Sequence, residues 1–397
     1  MTLFNKVFLP VITLAIFQVI GYLLYDGFLI ELSSYDIGFV LSLYISLIIG
    51  IFLFNLWERR KLLSVESKPF GKCFIGFVFL SSLALLLKPT ITMYVIGSEI
   101  GFDLLRTYFF TDFAIRTLIY ENLWVEWFTN QYYIYFLWFF LVFISNRSER
   151  YSVFIFYSIM LLLVLYNMAY AGRFNIYYSI VLIYIRSVLL GESLSLFIKN
   201  KLPVISIFVL LSFFVLLLRS TEGDIQSISR DILILIEYHL VPPFYLSERI
   251  SDGMLLMSEE PFPFKSFITS AFLPLFYLFD YGAYELPWFK YALYFNEFSL
   301  YSEYSEKYYN AFSTLFSFFY IDYYYTAPFF VLFFILFVLC YSRLIKNIEL
   351  RFKYQSFFSL MLYMSFFKPM LFSPGVIVIL IFFPLFYRCR NIWLMRK

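Results

Sequence analysis

The sequence is poor in the residues that usually build metal and redox sites. It has one histidine, His239, and three cysteines, Cys73, Cys340 and Cys389, which show neither metal-ligand spacing nor a pairing pattern. It also contains no Asp-x-Asp pair of the kind that holds the metal ion of a nucleotide-sugar site. These shortages predict a protein that binds no metal ion and uses no cofactor.

Charged residues are scarce as well. They make up 14% of the chain, against 62% hydrophobic residues and a mean hydropathy of +0.80, whereas soluble globular domains are about 25% charged. The composition therefore predicts an all-α polytopic integral membrane protein. Its formal net charge of +3 says little about partners, because the division of charge between the two membrane faces matters more. Membrane lipids are expected partners, and nucleic acid is not.

Apolar runs separated by charged loops predict about ten transmembrane helices. The runs are residues 7–25, 37–57, 73–96, 130–145, 151–170, 174–190, 202–218, 326–342, 354–372 and 375–387. Alternate loops carry most of the 30 Lys and Arg residues, and the positive-inside rule places these loops and both termini in the cytoplasm. Residues 97–129 are expected outside, as an amphipathic surface helix.

The sequence predicts a single functional domain in three parts. Residues 1–218 form a transmembrane block of about seven helices, residues 219–325 one large external loop with surface or re-entrant helices, and residues 326–397 about three more helices. A loop of this length is usually functional or disordered, and this one is too aromatic for disorder. Its first helix is expected to lie at the membrane surface and to stop at Pro242-Pro243.

Arginines at the outer boundary are the first candidate binding residues. A guanidinium binds phosphate oxygens in a bidentate manner, which suits a lipid diphosphate. The alternative for each is contact with headgroups or pairing with the external carboxylates. Arg173 follows Gly172 in a tight turn beside the membrane, which favours a functional position. The external arginines are Arg106, Arg116, Arg173, Arg219, Arg230 and Arg249.

Two lysines precede prolines near the predicted outer ends of spans, at Lys88-Pro89 and Lys368-Pro369. The proline at residue 89 is expected to interrupt its span. A lysine at such a depth either extends to the headgroups or, beside a broken helix, faces an anionic ligand in a cavity.

Candidate bases lie on the first helix of the loop and before the next span. Glu237 and His239 suit deprotonation of a sugar hydroxyl, because burial near arginine tunes such groups toward neutrality. His239 is alternatively an interface residue. Asn310, Thr314 and Asp322 precede the span that leaves the loop, and the alternative for Asn310 and Asp322 is capping of the helix start.

Three of these features together resemble the oligosaccharide repeat-unit polymerases, the O-antigen polymerase (Wzy-type) family. They are "YNAFSTLFSFFYID" before a late helix, Gly172-Arg173 after a middle helix, and one large external loop. The likeness in topology covers the whole chain, and the likeness in sequence covers Gly172-Arg173 and residues 308–323. Family members often have glycines after the aspartate, whereas Asp322 is followed by Tyr323, Tyr324 and Tyr325.

The resemblance implies a fold like that of the lipid-dependent (GT-C-like) glycosyltransferases, which include the O-antigen ligases. It implies a bacterial inner-membrane enzyme with a periplasmic active face. Such an enzyme transfers a growing glycan from undecaprenyl diphosphate to the next undecaprenyl-diphosphate-linked repeat unit, and so lengthens the O-antigen of lipopolysaccharide. The diphosphate already activates the donor, so the reaction is expected to be metal-independent. A chain-length regulator and a flippase of the same pathway are the implied protein partners.

The resemblance also suggests roles for the candidate residues. The lipid diphosphate is assigned to Arg173 with Arg219, Arg230 and Arg249, the catalytic base or acceptor side to Glu237, His239 and Asp322, and an acceptor or structural role to Asn310 and Thr314. A capsular or exopolysaccharide polymerase and an O-antigen ligase remain alternatives. A lipid-linked oligosaccharide flippase is a more distant one, because it is expected to have shorter external loops.

Overall fold

We describe the protein from a computed structural model. It describes residues 3–57, 71–169, 172, 174–217, 225–251, 299–310, 314–368 and 370–395. The chain divides into two compact units, one made of residues 1–63 with 224–397 and the other of residues 64–223. The first two helices thus belong to the same unit as the C-terminal part of the chain.

The first unit contains helices from both ends of the chain and a small hairpin. The elements are α1 (Leu3–Leu24), α2 (Ser34–Trp57), α12 (Ile225–Ser251), β1 (Ser299–Ser302), β2 (Lys307–Asn310), α13 (Leu315–Tyr323), α14 (Ala327–Tyr341), α15 (Ile348–Met364) and α16 (Pro374–Met395). α1 and α2 pack on each other, α1 also contacts α12 and α15, and α2 contacts α12 and α14. Three-residue 3-10 turns join α13 to α14 and follow α14.

The regular secondary structure among the described residues of the second unit is helical. The elements are α3 (Lys72–Ser82), α4 (Lys88–Ile100), α5 (Phe102–Thr111), α6 (Phe113–Tyr120), α7 (Leu123–Phe128), α8 (Ile134–Ile144), α9 (Arg150–Ala169), α10 (Phe174–Leu189) and α11 (Leu194–Leu217). The amphipathic part, expected as one surface helix, is the series of three short helices α5 to α7.

Six helical stretches within the described residues are long and apolar enough to cross a membrane. They are Lys6–Leu24, Ser34–Leu56, Lys72–Ile100, Arg150–Ala169, Leu194–Ser212 and Leu315–Leu344. Phe174–Leu189 and Pro374–Cys389 are shorter apolar helices. The mainly helical architecture and these apolar stretches agree with an all-α polytopic membrane protein. The count of ten spans and their orientation remain predictions.

The helix that contains Lys88 and Pro89 is not interrupted, so the expected break there is wrong. A π-helical turn, Leu83–Leu87, joins α3 to α4, and Pro89 lies in the first turn after it. The wider turn changes the hydrogen-bonding register, so the missing N–H of proline and its ring are accommodated without ending the helix.

The expected stop of α12 at Pro242-Pro243 is also wrong, because the helix continues to Ser251. Pro243 has no N–H to donate to the carbonyl of His239, four residues earlier. The side-chain amide of Gln18 in α1 donates to that carbonyl instead, at 2.9 Å, and Tyr44 of α2 donates to the amide oxygen of Gln18 at 2.7 Å. The second half of α12 is nearly all buried, so this part packs inside the unit and is not a surface helix.

The two strands form an antiparallel hairpin in which Leu300 pairs with Tyr309 and Tyr301 with Tyr308. Successive side chains of a strand point to opposite faces of the hairpin. Leu300 and Tyr309 are buried on one face, whereas Tyr308 is exposed on the other. The segment after α1 pairs with the hairpin through hydrogen bonds from Leu29 N to Tyr301 O, at 3.1 Å, and from Glu303 N to Gly27 O, at 2.8 Å. The hairpin therefore sits at the end of α1.

Candidate functional site

Several connections of the first unit come together at one end of its helices. The end of α1 meets the hairpin and α12, and the start of α2 meets the start of α14, where Phe39 contacts Tyr325. The start of α13 is joined to the end of α15 by a hydrogen bond from Leu315 N to Ser365 O, at 2.9 Å. This end of the unit, here called the loop end, contains most of the described candidate residues.

Glu237 lies at the centre of a hydroxyl cluster at the loop end. Its side chain is fully buried. Its Oε1 atom accepts hydrogen bonds from Tyr25 and, at 2.6 Å, from Ser302, and its Oε2 atom accepts one from Tyr309 at 2.5 Å. Both carboxylate oxygens thus have partners, as the burial of a carboxylate requires. The cluster ties α12 to α1 and to both strands.

The phenols of this cluster are held in their neutral form. Burial is the main cause that raises the pKa of both Tyr25 and Tyr309, and their hydrogen bonds to Glu237 raise it further. A neutral phenol donates to the carboxylate, whereas a phenolate beside it is repelled. The arrangement therefore stabilises the hairpin at neutral pH.

Asp36, near the start of α2, is a second buried carboxylate at the loop end. Its Oδ2 atom accepts hydrogen bonds from Ser33 at 2.5 Å and from Ser251, the last residue of α12, at 2.6 Å. Asp36 thus fixes the far end of α12 to α2, as Glu237 fixes its middle to α1.

His239 projects from α12 with a half-buried side chain. Its Nδ1 atom lies 2.8 Å from the carbonyl oxygen of Leu235, and its ring packs edge-on against Phe367 with the centroids 5.1 Å apart. Because a carbonyl only accepts, the neutral ring carries its proton on Nδ1 and its lone pair on Nε2. Nε2 is therefore the basic atom of this side chain.

Two predicted diphosphate-binding arginines lie on α12 in different surroundings. Arg249 is 3% exposed, and its guanidinium lies over the ring of Tyr245, 5.4 Å from the centroid. Arg230 is exposed and donates to the carbonyl oxygens of Ser305 and Glu306, at 2.6 and 3.2 Å. It also pairs with the Glu306 carboxylate at 3.4 Å. Arg230 thus anchors the hairpin turn, which agrees with its alternative reading as a partner of external carboxylates.

The three candidate residues that precede the span leaving the loop lie in different elements of the first unit. Thr314 caps α13, in a capping box with Ser317, so the capping that was the alternative for Asn310 and Asp322 belongs to Thr314. Asp322 is buried near the other end of α13. Asn310 is the last residue of β2, opposite Ser299.

The remaining candidate cations fall elsewhere. Arg173 and Arg219 lie outside the described residues. In the second unit, Arg116 is 3.4 Å from Glu126, and Lys88 is 2.5 Å from Glu121 in an exposed pair. Lys368, between α15 and α16, is exposed. No group of three metal-ligating side chains occurs within the part of the chain that the structure describes.

Comparison of the chain with protein-family models, curated proteins and solved structures finds no match. Its family is therefore not shown, and the O-antigen polymerase resemblance remains an inference from the residues named above.

The sequence indicated Glu237 and His239 but not their surroundings. Tyr25, Asp36, Ser302 and Tyr309 were not recognised as members of the site. Each is a common residue without a motif, and the contacts that define its role join segments more than 60 residues apart in sequence. Tyr25 comes at the end of one apolar run and Asp36 directly before the next, and this position was the only available signal.

Proposed function

We propose that the protein is a membrane-embedded glycosyltransferase that lengthens an O-antigen. In this reaction the growing glycan moves from undecaprenyl diphosphate to the next lipid-linked repeat unit on the periplasmic side. The observation that supports it most is the loop end of the first unit, where α12 carries the half-buried His239 and the buried Arg249 beside apolar helices. A base and a desolvated guanidinium are the groups that this chemistry needs.

The proposed step forms one bond and breaks one bond. An acceptor hydroxyl gives its proton to Nε2 of His239 while its oxygen bonds to the anomeric carbon of the donor sugar. The bond from that carbon to the diphosphate oxygen breaks, and undecaprenyl diphosphate leaves with the electron pair. Arg249 is 3% exposed, so its positive charge acts on the leaving group through the low-dielectric interior and not by direct contact. Arg173 and Arg219 are the candidates for direct contact with the diphosphate.

Among the three candidate bases, accessibility favours His239. The carboxylate of Glu237 is fully buried with hydrogen bonds to both oxygens, and Asp322 is 3% exposed. An acceptor sugar needs a base within hydrogen-bonding reach. Glu237 is accordingly assigned a positioning role, because it sets the place of α12 against α1 and the hairpin. Asp322 is assigned to the packing of α13.

The function is tested by the surface glycolipids of a strain that lacks the gene. A product with a single repeat unit supports a polymerase. Complete loss of attached glycan indicates a ligase or a flippase instead, and unchanged full-length ladders exclude all three. Loss of capsule with an intact O-antigen ladder identifies the capsular alternative.

The site is tested by complementing that strain with variants of equal membrane abundance. His239→Gln is expected to give mainly single-repeat product, since the loss of a general base typically slows such reactions by about 10²–10⁴-fold. Arg249→Gln removes the buried positive charge and is expected to shorten the ladder. Ile236→Leu, on the same helix and 43% exposed, is the matched control and is expected to restore the ladder. A normal ladder from His239→Gln removes His239 from the mechanism.

A further inference from the structure

The outward face of the hairpin presents two tyrosine rings side by side. Tyr301 and Tyr308 are directly opposite each other in the register, and their ring centroids are 4.8 Å apart with 50° between the ring planes. Tyr308 is 66% exposed, and Tyr301 is half-buried. The neighbours on the inward face, Leu300 and Tyr309, are buried. We call the pair Tyr301 and Tyr308 the tyrosine face.

Contacts hold the hairpin at its turn, along its first strand and on its inward face. Its turn is bound by Arg230, its first strand is paired with residues 27–29, and its inward hydroxyls donate to Glu237. Tyr304 in the turn is also exposed, but its phenol donates to Asp26 at 2.7 Å and its ring contacts Tyr25. The tyrosine face is therefore preformed, and a ligand does not have to order it on binding.

The chemistry around the tyrosine face fits a neutral polyhydroxylated ligand. Aromatic rings offer flat, rigid, amphipathic area, which matches the C–H face of a pyranose. Asp26, Glu303 and Glu306 lie in the hairpin turn and in the segment paired with it. Arg230 pairs with the Glu306 carboxylate, whereas Asp26 accepts from the neutral phenol of Tyr304, so carboxylates outnumber this cation here. Carboxylates accept hydrogen bonds from sugar hydroxyls, whereas they repel the anionic headgroups that an interfacial tyrosine would otherwise contact.

We propose that Tyr301 and Tyr308 form a binding subsite for a sugar ring in the glycan part of the lipid-linked substrate. This inference rests on the proposed function and specifies where its glycan lies. The opposite face of the same two strands donates hydroxyl hydrogen bonds to Glu237 of α12, the helix that carries His239. A glycan on the tyrosine face is thus bound by an element attached directly to the candidate site.

The subsite is tested by direct binding, independently of polymerisation. The full-length protein in lipid nanodiscs is titrated with a soluble oligosaccharide of one to three repeat units, prepared by mild acid hydrolysis of the polysaccharide of the source strain. Truncation of both rings, Tyr301→Ala with Tyr308→Ala, is expected to weaken binding about tenfold or more. Tyr151→Ala, at a tyrosine 43% exposed at the start of α9, is the matched control and is expected to bind like the wild type.

Two results overturn the subsite while leaving the proposed function standing. One is equal affinity of the doubly truncated variant and the wild type. The other is the absence of measurable binding to the wild type in a protein whose gene deletion still gives a single-repeat product. The conservative variant Tyr308→Phe keeps the ring and is expected to retain most of the affinity, which separates ring stacking from misfolding.

Contact of the tyrosine face with the bilayer is the competing explanation for its exposure. A nitroxide attached through Tyr308→Cys, in a chain without Cys73, Cys340 and Cys389, reports the surroundings by paramagnetic relaxation. Stronger relaxation by a water-soluble nickel complex than by oxygen is expected. The reverse result places the face in lipid and overturns the proposal.

Discussion

The amide nitrogen of Gln18 lies 2.9 Å from the carbonyl oxygen of His239, the carbonyl that Pro243 leaves without an intrahelical donor. This contact replaces the donor that Pro243 lacks, and it fixes the backbone of the candidate base to α1. It also makes Gln18 a buried polar residue with a defined structural task.

We expect Gln18→Leu to lower the free energy of unfolding by about 1–3 kcal/mol, because the His239 carbonyl and the Tyr44 hydroxyl both lose a buried partner. Thermal unfolding in detergent measures the effect. Phe17→Leu, at the neighbouring position, which is 44% exposed, is the control and is expected to change the midpoint little. An unchanged midpoint for Gln18→Leu would mean that water replaces the amide.

Gly21 marks the closest approach of α1 to α12. A Cβ atom there would lie 2.2 Å from Cδ2 of the buried Leu240. Cδ2 is the end of a flexible side chain, so a small shift of Leu240 relieves part of the clash, and Gly21→Ala is expected to destabilise the protein by about 1 kcal/mol through overpacking. Leu240→Ala is itself destabilising because it opens a cavity, but Gly21→Ala is expected to cost less in that background than in the wild type. Additive effects of the two substitutions in thermal unfolding would contradict the contact.

Tyr309 and Tyr308 are neighbours in β2, but Tyr309 is on the inward face of the hairpin and Tyr308 is on the outward face. Tyr309→Phe removes a hydroxyl donor from the buried Glu237 carboxylate, so we expect a loss of about 1–3 kcal/mol in the free energy of unfolding. Tyr308→Phe, one residue away on the exposed face, is expected to cost almost nothing. Chemical or thermal unfolding of the two variants in parallel checks this. Equal losses would argue against the hydroxyl cluster.

High pH is expected to weaken the attachment of the hairpin. The pKa values of Tyr25 and Tyr309 are raised in the folded protein, so their neutral forms contribute stability that is complete below the ordinary phenol pKa of about 10. That contribution is lost as the pH rises through the folded values. The melting temperature should therefore fall less between pH 8 and pH 11 in Tyr25→Phe/Tyr309→Phe than in the wild type. Equal declines in the melting temperatures of the variant and the wild type would contradict the proposed effect of the two phenols.

Arg173 lies outside the described residues, but its proposed role can still be tested by substitution. Arg173→Lys keeps the positive charge and removes the planar fork that binds diphosphate in a bidentate manner. We expect shorter O-antigen ladders at equal membrane abundance of the protein. Glycan length is read from the gel of surface glycolipids, with wild-type complementation beside it. A ladder of normal length would exclude Arg173 from the proposed diphosphate site.

The sequence predicts the apolar helices well, because their ends are set by local hydrophobicity. The run 151–170 corresponds to Arg150–Ala169, and the run 174–190 to Phe174–Leu189. Local rules failed at Pro242-Pro243, where the donor that sustains the helix is Gln18, 221 residues away. Local rules also miss most of the candidate site, because its contacts join distant parts of the chain. Glu237 was recognisable as a candidate, but its partners Tyr25, Ser302 and Tyr309 become neighbours only through the packing of α1 and the hairpin.

The pairing of α1 with late elements also sets conditions for biogenesis. Ser359 donates to the carbonyl of Val7, 352 residues earlier in the chain, at 2.9 Å. During translation, α1 emerges long before α12 and α15, so it must wait in the bilayer for its native neighbours while most of the polypeptide is still being made. Chains that terminate before Ile348 leave this helix without α15, and quality-control proteolysis is their expected fate.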